Sequence, residues 1–164
     1  MPFTPYHLGP ALLLVLVLLR WLDLPTFLVA NVIVDVEPFL VLILGMNYPL
    51  HGYLHTYLIG SLVALILYFI MVQVRQFLDS IMKYFGFEQS GGRKSIVLAS
   101  IFGIWLHITM DSTLYMDIQP LFPIGLNPFY IGLEAIAPVY DLCRNTVLLS
   151  IILFLVLFIR NKVS

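Results

Sequence analysis

The chain has 164 residues, of which 61% are hydrophobic types and 10% are charged, with a formal net charge of −1. Soluble domains carry about 45–50% apolar and about 25% charged residues, so this composition, with a mean hydropathy of +1.01, excludes an ordinary soluble domain and points to a membrane protein. No basic surplus is available for nucleic acid, the single Cys143 excludes an internal disulfide, and the length suits one domain.

A spanning helix needs about 20 mainly apolar residues, and five segments can be placed in chain order, the first short enough to tilt or to stop below one surface. Helix one is expected over 8–22. Its core, ALLLVLVLL, is preceded by no lysine or arginine. It is followed by Arg20, Trp21 and Asp23 rather than a cleavage site, so it is expected to persist as a helix. Helix two covers 25–46 and carries Asn31, Asp35, Glu37 and Pro38 at its middle. Pro38 biases Glu37 away from helical backbone, which predicts a local break that turns both acids inward. Helix three is expected over 53–75, followed by an amphipathic surface helix over 77–85 and a flexible stop at Ser90-Gly91-Gly92. Helix four covers 95–116 and helix five 145–160. Between them, 117–144 contains Pro120, Pro123, Gly125, Pro128 and Gly132, and reads as a re-entrant or interfacial segment. The fold class expected is therefore an all-α polytopic bundle.

Lysine and arginine set the orientation. Five spans collect Arg20, Arg75, Lys83, Arg93, Lys94, Arg160 and Lys162 on one side and Arg144 on the other. The positive-inside rule then places the N-terminus outside and the C-terminus in the cytoplasm, in what we take to be the plasma membrane of a prokaryote.

Ionisable side chains inside apolar runs are costly and mark function. Here they are His7, Asp35, Glu37, His51, His55, His107 and Asp111, which include every histidine of the chain. His51 and His55 are four apart, which on a helix puts both rings on one face; they read as metal ligands or as an interfacial pair. His107 and Asp111 repeat the spacing, as two ligands, a ligand and its partner, or a hydrogen bond joining helices. The orientation brings all seven into the outer half of the membrane, which favours a metal centre. Nitrogen and oxygen donors suit zinc first, with manganese or iron admissible. Seven candidates exceed one tetrahedral site, so one to three ions, or one ion with supporting residues, are expected.

The stretches MPFTPYHLG, VDVEPF, HGYLHT, LHITMDS and PLFPIGLNPF resemble the motifs of the YdjM-like integral membrane metal-dependent hydrolases, over about residues 2–130. Val34 stands where that family often has proline, and Glu37 where aspartate is common. The family is remotely similar to the zinc-dependent phospholipase C and nuclease group, whose H-x-x-x-D pair is matched by His107 and Asp111. His7, Asp35, His51 and His55 match by chain order. The resemblance implies phosphoester hydrolysis with zinc held by His7, His51, His55, His107 and Asp111, with Asp35 contributing.

Asp35 or Glu37 would then act as general base. The membrane setting favours a lipid or lipid-linked substrate. Arg144 is a candidate for a phosphate headgroup, although a helix-edge anchor describes it better. The 117–144 segment would form a lid, a lipid access path or a simple cover. A homo-oligomer is compatible with this reading. Proton or metal-ion transport and a non-catalytic scaffold are the rivals; no H-E-x-x-H and no glycine-rich phosphate loop is present.

Overall fold

The computed structural model describes residues 7–87, 89 and 92–163; the opening MPFTPY and the expected stop at Ser90-Gly91 lie outside them. The described chain is all-α. Its six helices are α1 Leu8–Val17, α2 Leu24–Ile33, α3 Val36–Leu44, α4 Tyr57–Tyr84, α5 Arg93–Leu114 and α6 Leu133–Val163. Among the described residues four stretches are long and apolar enough to cross a membrane: Leu24–Leu44, which is bent, Tyr57–Tyr84, Arg93–Leu114 and Leu133–Val163. Large apolar side chains such as Leu62, Phe69, Phe77, Leu149 and Ile152 are exposed on their outer faces. Such surfaces belong in hydrocarbon rather than water, and the chain is an integral membrane protein.

Local chemistry sets the helix ends. The buried Asp23 caps α2, accepting the Thr26 N–H at 3.1 Å. Thr56 caps α4 by accepting the Ile59 N–H at 3.1 Å, and Gly45, at φ +58°, ends α3 in the left-handed conformation that glycine tolerates.

Three expectations shift. Helix one is shorter than 8–22: α1 has ten residues, about 15 Å at ~1.5 Å per residue, half of a bilayer core. The surface helix over 77–85 merges into α4, which runs unbroken to Tyr84. The 117–144 segment divides, because 133–144 belongs to α6, whose interior accommodates Pro138. Only 115–132 is irregular, and it lies across one end of the bundle. There, the Thr113 carbonyl accepts from Ile131 and Gly132, and the Pro120 carbonyl accepts from Tyr57 N–H at 2.9 Å.

The bend in Leu24–Leu44 is a tightened turn, not an extended break. Asp35 N–H and Glu37 N–H reach the carbonyls three residues back, Val32 and Val34, at 3.0 and 3.1 Å. Glu37 stays helical because Pro38 falls in the first turn of α3, where a missing N–H forfeits no intrahelical bond.

The opposite end is closed by polar contacts. Arg75 pairs with the buried Asp23. The Gln89 amide donates to the carbonyls of Leu19 and Leu22, and Asn161 donates to the Gly86 carbonyl at 2.7 Å.

The helices pack around two apolar clusters. One joins Ala11, Val15, Phe27 and Ala99, the other Ala30, Val34, Ala64, Ile104 and Ile108. The α2–α5 crossing is close. A Cβ on Gly103 would stand 2.6 Å from Ala30 Cβ and 2.8 Å from the Phe27 carbonyl. Asn31 then donates to the Gly103 carbonyl at 3.1 Å. Gly103→Ala is expected to push α2 off α5 and to cost about 1–3 kcal/mol, read as a lower midpoint of unfolding in detergent.

Candidate metal centre

The centre lies at the end of the bundle covered by 115–132. The α5 helix supplies His107 and Asp111 from one face, as their spacing of four requires; both are buried. Asp35 arrives from the α2–α3 turn. His55 arrives from a single 3-10 turn, Tyr53–His55, that precedes α4. One ligand atom from each of Asp35, His55, His107 and Asp111 lies within 4.8 Å of the other three, and all four residues are buried. A group of this kind can chelate a metal ion.

His51 and His55 therefore do not share a helix face. The chain is diverted because Thr56 starts α4 and because Glu37 accepts the backbone N–H groups of Gly52 at 2.9 Å and Leu54 at 3.2 Å. The two rings still meet edge to face, with centroids 4.9 Å apart.

The tautomers of the two central imidazoles follow from their partners. His107 Nδ1 lies 2.8 Å from the Asn31 carbonyl, which only accepts, so Nδ1 carries the hydrogen. In the neutral ring Nε2 is then a bare lone pair. It faces Asp35 Oδ1 at 3.3 Å and Asp111 Oδ2 at 3.2 Å, yet makes no hydrogen bond. His55 repeats the arrangement. Its Nδ1 contacts Glu37 Oε2 at 3.0 Å, while its buried Nε2 has no hydrogen-bond partner and stands 3.9 Å from Asp111 Oδ2. Lone pairs facing carboxylates at these distances repel unless a positive charge sits among them, either a metal ion or a ring proton, and buried unpaired nitrogens are otherwise costly. The pattern of an outer acceptor holding Nδ1 and a free Nε2 is that of metal-ligating histidine.

The other candidates take different places. His7 joins through Asp111, with its Nε2 at 3.0 Å from Oδ1 and its ring 4.7 Å from that of His107. Asp111 thus turns one oxygen to His7 and the other to His55 and His107. His51 stands one ring further out, its Nδ1 3.1 Å from both oxygens of Asp117 and its backbone N–H donating to Oδ2 at 3.1 Å. Glu37 holds His55 and its loop. Arg144 is exposed on α6 and pairs with Asp141 at 2.9 Å; it is not among the residues brought together.

Asp117 is a partner that sequence reading passed over, since it falls in the breaker-rich stretch. The available signal was an acid six residues beyond Asp111. Burial alone would raise its carboxyl, but the hydrogen bonds and charge interaction with His51 outweigh it and hold the group below the ordinary carboxylate value.

Fold and site together define a class: a membrane-embedded helical protein with a buried Asp/His/His/Asp cluster able to chelate a metal ion. Comparison with protein-family models, curated proteins and solved structures gives no match.

Proposed function

We propose that this chain is a metal-dependent membrane hydrolase, probed first with zinc, that cleaves a phosphoester of a lipid or lipid-linked substrate. The observation that carries the reading is the pair of buried, unpartnered Nε2 atoms of His55 and His107 facing Asp35 and Asp111. The motif resemblance to the YdjM-like hydrolases points the same way. Nitrogen and oxygen donors fit zinc, with manganese or iron as substitutes.

When bound, the cation supplies Lewis acidity that polarises the phosphoryl group and acidifies water. The chain's own residues do the rest. His55 and His107 present fixed lone pairs, oriented by Glu37 and Asn31. Asp111 is steadied by His7 and has its second oxygen at the centre. Asp35, at the bend, is one of the four donors and, where it does not bind the cation, the carboxylate that accepts a proton from water; Glu37 has both oxygens engaged.

A lipid substrate is favoured by the membrane setting of the centre. The apolar groove of about 600 Å³ between α1 and α5, lined by Leu14, Leu18, Trp21, Phe102, Trp105 and Leu106, meets α5 at Thr109 on the face turned away from His107 and Asp111, and is a lipid-facing surface rather than an opening onto the centre.

The test is metal analysis of the purified protein combined with a lipid-phosphate release assay. About one equivalent of zinc or more is expected to survive washing, and chelation is expected to abolish release, with restoration on adding zinc. A protein that holds no metal even after reconstitution overturns the proposal. So does cation uptake into vesicles without any hydrolysed product, which would make the centre part of a transport path.

A further inference from the structure

Both tryptophans of the chain, Trp21 and Trp105, line the apolar groove between α1 and α5. Leu14, Leu18 and Trp21 form one wall, and Leu98, Phe102 and Trp105 the other. The space is left open because α1 packs chiefly against α6 and α2. The α5 wall is held in place: Trp105 donates its Nε1–H to Ser61 Oγ at 3.0 Å, and its ring meets Phe102 edge to face at 6.2 Å. From Leu98 to Thr109 that wall rises about 16 Å at ~1.5 Å per residue. One leaflet of a ~30 Å hydrocarbon core has the same depth.

Basic side chains stand at one mouth of the groove. Lys94 lies four residues before Leu98, so it occupies the same face of α5 one turn further along. Arg20 directly precedes Trp21. The Asp23 N–H donates to the Ser95 carbonyl at 3.3 Å, which ties the turn carrying Arg20 to the first turn of α5. Arg20 and Lys94 are both exposed. The carboxylates described at this end, Asp23 and Asp79, both pair with Arg75, so the charges of Arg20 and Lys94 are unbalanced among the described residues.

An apolar slot one leaflet deep, with two cations and an indole at its mouth, complements a lipid whose headgroup is an anion. A zwitterionic lipid would fill the slot but bring its own ammonium group to the mouth. A second copy of the chain would need an acid at this end, whereas the exposed acids of α6, Glu134 and Asp141, lie toward the opposite one.

We propose that the α1–α5 groove holds an anionic phospholipid, one acyl chain along Leu98–Thr109 and its phosphate between Arg20 and Lys94. This lipid is a companion of the fold and not a substrate, and its binding does not rest on the hydrolase reading.

The test places the protein in phosphatidylcholine vesicles doped with a phospholipid brominated on its acyl chain, since bromine quenches a tryptophan that it touches. Brominated phosphatidylglycerol is expected to quench about fivefold more effectively per mole fraction than brominated phosphatidylcholine. Arg20→Gln and Lys94→Gln are each expected to reduce that preference to about half or less. Arg160→Gln removes the same charge from α6, which gives the groove no residue, and is expected to leave the preference unchanged. Equal quenching by the two lipids overturns the site. So does a preference unmoved by Arg20→Gln and Lys94→Gln, or lowered equally by Arg160→Gln. Quenching by neither lipid also overturns it, and means that protein, such as a second copy, covers the groove.

Discussion

His107→Ala is expected to abolish stable metal retention, reducing zinc from about one equivalent to near zero after dialysis, and to remove hydrolysis with it. His107 is the residue on which the centre turns, because its Nε2 lies within 3.3 Å of both Asp35 and Asp111. Its removal also strips the Asn31 carbonyl of a buried partner, a loss of about 1–3 kcal/mol. Folding must therefore be checked independently. His107→Gln, which can still donate toward Asn31 but offers no imidazole, is expected to keep the native melting profile of the metal-free protein and still hold no zinc. A second signature is available in stability. An ion present at 1,000 times its dissociation constant stabilises by about 4.1 kcal/mol, so chelation should lower the melting point of the native protein and leave that of both variants unmoved. Retention of a full equivalent by His107→Gln would place the metal elsewhere.

The next largest effect is expected at Glu37, and it separates two roles that its sequence position leaves open. The carboxylate accepts from Gly52 N–H, Leu54 N–H and His55 Nδ1. It acts as a positioning residue for the 51–55 loop in this geometry. Glu37→Ala is expected to lower zinc affinity by about 10–100-fold, the usual scale for losing a partner of a ligating histidine. It is also expected to destabilise the protein by on the order of 3 kcal/mol, since two backbone donors lose their acceptor. Glu37→Gln retains an acceptor oxygen and should fall between native and alanine. A competition titration against a chromogenic chelator reads the affinity directly. If Glu37 were instead the general base, Glu37→Gln would keep native zinc affinity and lose about 10²–10⁴ in turnover; that split would exclude the positioning role.

Much of the architecture is legible in the chain because the relevant physics is local. Long apolar runs identify four spanning stretches among the described residues, while the first run forms only the short α1. His107 and Asp111 fall on one helix face because α-helical periodicity needs only the residues between them. The same argument fails at His51 and His55. Their spacing is also four, but Thr56 takes the cap of α4 and Glu37, from a different helix, takes the backbone donors of Gly52 and Leu54. Pro38 misleads for a related reason: its effect depends on whether it enters the first turn of a helix or its interior, and only the start of α3 at Val36 decides that.

The sequence by itself determined the membrane character, the all-α class, and a set of buried-type ionisable residues with nitrogen and oxygen donors. Each of these follows from composition or short-range periodicity. Tertiary structure alone decided which atoms converge. It set Asp35, His55, His107 and Asp111 within one chelating distance, placed His7 behind Asp111, and gave Asp117 to His51. It also shortened α1 and set Glu37 against Gly52, Leu54 and His55. Convergence depends on where helices cross and where loops return, as at Gly103 and at the Tyr57–Pro120 contact. Those positions are set by packing and hydrogen bonds between residues far apart in the chain, which no local pattern encodes.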